Sequence, residues 1–571
     1  MTIRPYFLTA LVMLTIAVGC VKEGAIAPDA AGEDPVTEAK AFLDWYNGQR
    51  AAMDKTAALA YWTAANSGNK ADFEAYAAAD LALRTFHSDG ERYRQVGRLI
   101  KAGELLDPIT RRALDVARLA YEENQLPQAI LQKLVAKSSQ IEQIFNTYRA
   151  TMDGRSWTNN ALLETLAKET DSDRRKAAWD ALKQVGAQVG PLLVELAHLR
   201  NDAARTLGYA NFWDMRVRMQ EHDPAMLLEL FDRLEKSTNE PFRAMKASLD
   251  GELSRRLDVP VNAMMPWHYD NPFFQAAPPS EAVDLDVFYQ DHQREDIVEI
   301  ARTFYSDIGL PLDSIIDRSD YFDREGKDQH AFCIDIDRQG DVRMLLNIQA
   351  TADWMDTMLH EAGHAVYAAY NDMSLPYNLR DAAHILTTEA VAMLFGALGK
   401  NPTWMVAYAG VDSAKVAPVK AAIYEQRRRE QLIFARWAMV MFHFEKALYE
   451  NPDQDLNTVW YDHVERLQLL KRPVDRDLPD WAAKPHFTIA PVYYHNYLLG
   501  ELFAAQLRST LAGMAAHDGP AATLSFNGRK DFGTFMKDRV FRPGMRMEWP
   551  DFVKAATGRP FGPESFVDEV R

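Results

Sequence analysis

Residues 360–364 read His-Glu-Ala-Gly-His. On a helix, side chains four apart share a face, so His360 and His364 can turn both imidazoles toward one metal ion. Glu361 stands beside the first of them, placed to take a proton from a water that the metal activates. A catalytic zinc needs three protein ligands and a position left open for water. Gly at 367 and His at 370 would extend the motif to a third histidine, but both positions are Tyr. The third ligand must come from elsewhere. Residues 386–398 form a second apolar helical run with a single carboxylate, Glu389. A lone carboxylate in so apolar a helix is costly unless a cation meets it. Glu389 is therefore the expected third ligand, with His384 in the preceding connection as its competitor. The chemistry implied is hydrolysis of a peptide bond with one zinc ion: the metal polarises the carbonyl, and Glu361 shuttles the proton.

The elements that must position these residues read as helices. From Thr37 onward, apolar residues recur at three- and four-residue spacing, as in 38–62, and loops with Gly, Pro and Asn interrupt them. One stretch differs. Residues 330–348 hold two partly alternating apolar runs around Arg338-Gln339-Gly340, the pattern of a β-hairpin. It ends just before the helix with the metal motif, and a free strand edge there can pair with an extended peptide. The fold class expected is mainly α, a large helical metallopeptidase with a small hairpin beside the HExxH helix. Apolar residues at 47% and charged residues at 25% fit a globular chain. A net charge of -17 argues against nucleic acid or an anionic lipid surface as partner. Two cysteines, Cys20 and Cys333, exclude a disulfide scaffold. The basic run Arg427 to Arg429 reads as a solvated helix face.

The N-terminus carries a separate signal. Arg4 precedes an apolar run from Phe7 to Val18 that closes on Gly19-Cys20. The run is too short for a membrane span and fits a leader. Small residues followed by Cys resemble a bacterial lipoprotein signal, which would leave Cys20 as a lipidated N-terminus. The expectation is a leader at 1–20, a flexible tether at 21–36 and one helical domain over 37–571. The protein would be exported, periplasmic or at the cell surface, and membrane-bound only through Cys20.

From about Thr37 to about Pro550 the sequence resembles the angiotensin-converting enzyme family, the peptidyl-dipeptidases. The metal motif with Glu389 is shared with other gluzincins, including thimet-type oligopeptidases. More telling are 38–47, 199–214, His330-Ala331 with Cys333 and Asp335, Arg472 to Arg476, Lys484 to Phe487, and 493–503. The resemblance implies two halves around a deep central cleft. It implies that Lys484 and Tyr494 hold a substrate carboxylate, with Tyr493 a rival for Tyr494. His486 and Tyr497 would stabilise the tetrahedral intermediate, and His330 and the Ala331 backbone would hold the substrate chain. The residue types suit these roles: Lys484 is a cation, His486 a donor, and Tyr494 and Tyr497 are three apart. There are departures. Asn496 and Val464 stand where chloride-activated relatives carry Arg. Met393 stands where the family has an Asp behind the ligands. Residues 265–274 replace a segment that supplies a carboxylate-binding Gln.

The expected substrates are oligopeptides that lose a C-terminal dipeptide. An extended residue spans about 3.3–3.6 Å, so a cation about 7–8 Å past the scissile carbonyl selects two residues. An oligopeptidase without carboxylate anchoring, or a one-residue carboxypeptidase, is the alternative. An inactive peptide-binding protein is the third reading, against which the intact Glu361 stands.

Overall fold

A computed structural model describes residues 34–280 and 282–571. The expected leader, with Cys20, and all but the last three residues of the expected tether lie outside the described residues. The tether reading ends too late: Pro35 and Val36 already open the first helix, Pro35–Ser67, with Pro in its first turn where its missing N–H costs nothing. Among the described residues the fold is mainly α, with two two-stranded antiparallel sheets. No described helix is long and apolar enough to cross a membrane.

One hydrophobic core runs from Leu134 to Val570. The N-terminal helices keep a smaller core of their own, in which Phe42, Tyr46, Leu114 and Tyr121 close against Leu375 and Leu379. The hairpin expected at 330–348 is present as Phe332–Asp335 and Val342–Leu345, with Phe332 opposite Leu345 and Asp335 opposite Val342. Its turn needs Arg338 and Gly340 at positive φ. Tyr61 and Trp62 of the first helix pack on Phe332. On the other side, Asp320 pairs with Leu345. The outer edge of Phe332–Asp335 pairs with no described strand.

Three helices form the layer that matters for the site. The HEAGH helix, Ala352–Ala369, is capped by the Thr351 hydroxyl, which accepts from Trp354 N–H at 3.2 Å. Met355, Met358, Leu359, Ala362, Ala365 and Val366 are fully buried, so this helix is apolar nearly all round and runs through the core. It packs on the acid helix, Ile385–Gly396, which packs in turn on a third helix, His495–Met514. Glycine permits both crossings. A Cβ on Gly363 would stand 2.9 Å from the Cα of Ala392, and one on Gly500 would stand 3.2 Å from the Cβ of Glu389. The Gly of HEAGH is thus there because a backbone passes over it.

The basic run Arg427 to Arg429 is not a solvated face. It lies in the long helix Lys420–Glu450, with Arg429 paired to Glu252 and Glu425 and Arg428 to Glu425. Glu252, far off in sequence, turns Arg429 inward, and Arg428 also donates to the Val570 carbonyl.

The two kinds of helical glycine give opposite expectations. Gly97 has nothing within 4 Å of an added Cβ, so Gly97→Ala is expected to stabilise by about 0.5–1 kcal/mol. Gly363→Ala must displace backbone and is expected to destabilise by about 1–3 kcal/mol. Urea unfolding midpoints of the two variants check this; equal shifts would contradict the packing described.

Candidate metal centre and substrate pocket

The HEAGH helix and the acid helix bring three donors to one point. His360 Nε2 and His364 Nε2 lie 3.8 and 3.9 Å from the same carboxylate oxygen of Glu389. The two imidazole rings stand 5.0 Å apart at 78°, edge to face, both turned toward Glu389. Among the described residues this is the one group of three or more His, Cys, Asp or Glu side chains with metal-holding geometry. Zinc bonds of about 2.0–2.2 Å place tetrahedral ligand atoms about 3.3–3.6 Å apart. The donors are within a few tenths of an ångström of that spacing, and two imidazoles with a carboxylate are a donor set that zinc takes. The residues fit the ion.

The surroundings fix the donors. His364 Nδ1 meets the Thr388 hydroxyl at 2.7 Å, which orients the ring so that Nε2 faces Glu389. Thr388 precedes Glu389 on the acid helix, so one helix supplies both a ligand and the support of another. This answers the absence of an Asp at position 393. Tyr305 donates to the Leu359 carbonyl at 2.7 Å and pins the HEAGH helix just before its first histidine. Glu361 is 2% exposed and Glu389 is 2% exposed, so both carboxylates are shut in with the site. His384 is no ligand. It caps the acid helix, its Nδ1 accepting from Leu386 N–H and its Nε2 meeting the Gln220 carbonyl.

The substrate-side residues gather on the third helix and the segment before it. Tyr497 is one turn ahead of Gly500, hence on the face that meets Glu389. The Tyr494 and Tyr497 rings lie 5.5 Å apart, and His486 lies 5.2 Å from Tyr494. Tyr494 accepts a hydrogen bond from Trp437 Nε1 at 2.7 Å, which settles its phenol beside Lys484, 5.6 Å from the ring. Tyr493, the rival, packs on Tyr497 instead. The loop between His486 and Tyr494 absorbs an unusual residue: buried Val492 sits at φ +52°, costly for a β-branched side chain. Glu445 accepts from its N–H and Gln220 donates to its carbonyl, both at 2.8 Å, and these hold the turn.

Lys484 is 5% exposed and makes no ion pair among the described residues. Phe273, Trp437 and Tyr494 surround its ammonium at 5.2–5.6 Å from their ring centres. Burial alone lowers it to about 7. Burial, aided by Lys484, lowers His486 to about 3, so His486 is a neutral imidazole. Lys484 Nζ donates to the Gln275 side-chain oxygen at 2.5 Å. The glutamine missing from residues 265–274 is thus supplied by the next residue. An Asn271 turn with Phe274 at φ +47° swings Gln275 onto Lys484, and no local sequence signal announces it.

His330 stands apart. Its imidazole is 72% exposed and bound to Asp328, whose carboxylate raises it above the usual histidine range. Ala331 is buried at the start of the hairpin strand that lies along the HEAGH helix.

Comparison with known proteins places the chain in a family. The sequence profile of the angiotensin-converting enzyme family matches residues 34–247 and 265–561. Angiotensin-converting enzyme of Mesocricetus auratus is 21% identical over 504 residues, covering 80% of this chain and 37% of that protein. The chain therefore spans well under half the length of the curated relative it matches. With the profile matched over most of its length, the chain belongs to the angiotensin-converting enzyme family of peptidases.

Proposed function

We propose that this protein is a zinc peptidase that shortens oligopeptides from a free C-terminus, releasing dipeptides. One observation carries the reading. A triad of His360, His364 and Glu389, with Glu361 beside it, is accompanied by Lys484, a buried lysine against the Tyr494 ring that makes no ion pair among the described residues.

Zinc held by the triad would supply a Lewis acid that polarises a peptide carbonyl and acidifies water. Glu361 takes the proton of the attacking water on its carboxylate and later returns it to the leaving amine. Tyr497 and the neutral His486 direct donors at the developing oxyanion, a role worth about 2.7–4 kcal/mol per donor. Lys484, with Gln275 and Tyr494, receives the terminal carboxylate, which removes the cost of a buried unpaired ammonium. The free edge at Ala331–Cys333 pairs with the extended substrate backbone, and the exposed His330 receives its far end.

Activity on peptides is expected to vanish with a zinc chelator and return with added zinc. Glu389→Ala is expected to lose the metal. Glu361→Gln is expected to keep it while kcat falls at least about 100-fold. Metal content and turnover, measured together, check this; a Glu361→Gln enzyme of normal kcat would sink the mechanism.

Mass spectrometry of a peptide digest is expected to show two residues leaving together, and none from C-terminal amides. The free-acid kcat/KM is expected to fall as pH rises through about 7, because Lys484 is cationic only below that value. Lys484→Met is expected to raise KM and flatten the profile. Equal cleavage of acid and amide would instead make the protein an oligopeptidase.

A further inference from the structure

Lys484 is not the only buried lysine against Phe273. Lys183 ends the helix Ser172–Lys183 and is 5% exposed. Among the described residues it has no ion pair and no hydrogen bond. Its ammonium lies 3.2 Å from the centre of the Phe273 ring and 5.3 Å from that of Trp179. The Lys484 ammonium lies 5.5 Å from the same Phe273 ring. Two buried lysines therefore address one aromatic ring, and neither makes an ion pair among the described residues.

The nearest acid does not change this. Asp480 is buried, but Arg476 meets both of its oxygens at 2.6 and 2.7 Å, and Tyr461 donates to it as well. Asp180 is likewise taken by Arg476 and Lys176. Asp480 and Asp180 thus already have partners, and Arg476 adds a further positive charge. Burial drives Lys183 well below the usual lysine range, with Arg476 and Lys484 adding to the effect and Asp480 opposing it.

The Phe273 ring that both lysines approach is held by a hydrogen-bonded turn. Asn271 caps the turn through the Phe273 and Gln275 N–H groups, and Gln468 donates to the Phe273 and Phe274 carbonyls. Arg175 and Arg256 anchor Asp270 just before it. These contacts hold Phe273 in place beside both lysines.

We infer that this pocket selects substrates with two negative charges on the last residue, peptides ending in glutamate or aspartate. Lys484 takes the α-carboxylate and Lys183 the side-chain carboxylate. The inference rests on the reading of Lys484 as the terminal-carboxylate site. An acidic side chain pairs with the protonated form of Lys183 and stabilises it, which its amide isostere cannot do, so the acidic residue is favoured.

The test compares peptides identical except for a C-terminal Glu, Asp, Gln or Leu, in the zinc-loaded enzyme and in Lys183→Met. The wild type is expected to prefer Glu over Gln by at least about tenfold in kcat/KM, and Lys183→Met to bring that ratio near one. Glu-peptide binding, measured by calorimetry in buffers of different ionisation enthalpy, is expected to take up more protons than Gln-peptide binding. A purely structural Lys183 would not move that readout. A wild-type ratio near one, or a preference that survives in Lys183→Met, overturns the inference. Lys183→Met keeps an unbranched apolar chain against Phe273 and Trp179, and Lys183→Gln serves as the second variant. The Gln peptide with a C-terminal amide separates the two readings. If its cleavage equals that of the free acid, the Lys484 site fails. If the free acid is required but Glu and Gln are cleaved alike, the inference about Lys183 alone fails.

Discussion

A carboxylate 2% exposed on an apolar helix is the constraint around which this molecule is arranged. Glu389 has Ala390, Val391 and Leu386 for helix neighbours, all fully buried. Burying such a charge without compensation costs several kcal/mol. His360 and His364 converge on one of its oxygens, and a divalent cation among the three offsets that cost. The helix crossing follows from the same need. The two imidazoles reach Glu389 only if the HEAGH helix lies directly on the acid helix, and Gly363 over Ala392 lets it do so. Gly500 repeats the device on the other side, bringing the Tyr497 helix onto the Glu389 side chain.

The second half of the site obeys the opposite sign. Lys484 is buried among aromatic rings and leans on the neutral oxygen of Gln275. The metal triad presents a carboxylate to a metal ion, and Lys484 presents an ammonium to a carboxylate. In the function proposed, a peptide would run from one to the other, with its carbonyl at the triad and its terminal carboxylate at Lys484. The aromatic series His486, Tyr494, Tyr497 joins the two ends through ring contacts of 5.2 and 5.5 Å.

What the sequence makes legible is what local spacing or composition encodes. The triad is legible because i,i+4 histidines share a face and because Glu389 is alone in an apolar run. The hairpin is legible from alternation, and the helical body from its three- and four-residue period. Other parts depend on distant segments meeting. Gln275 reaches Lys484 through a turn with Phe274 at positive φ. Thr388 looks like any helical threonine until His364 is placed against it. Lys183 closes a charged helix and reads as surface, yet Phe273 covers it. Arg427 to Arg429 read as solvated because Glu252, the distant partner of Arg429, is far away in sequence. His384 is decided by Leu386 N–H and Gln220, which a cap provides and a spacing rule does not.

The claim on which all of this stands is that one zinc ion binds at His360, His364 and Glu389. Anomalous diffraction at the zinc edge, from crystals of active enzyme, tests it most directly. The account predicts a single strong peak about 2.0–2.2 Å from His360 Nε2, His364 Nε2 and a Glu389 carboxylate oxygen. A peak elsewhere in the molecule, or none in crystals that still cleave peptide, would contradict it.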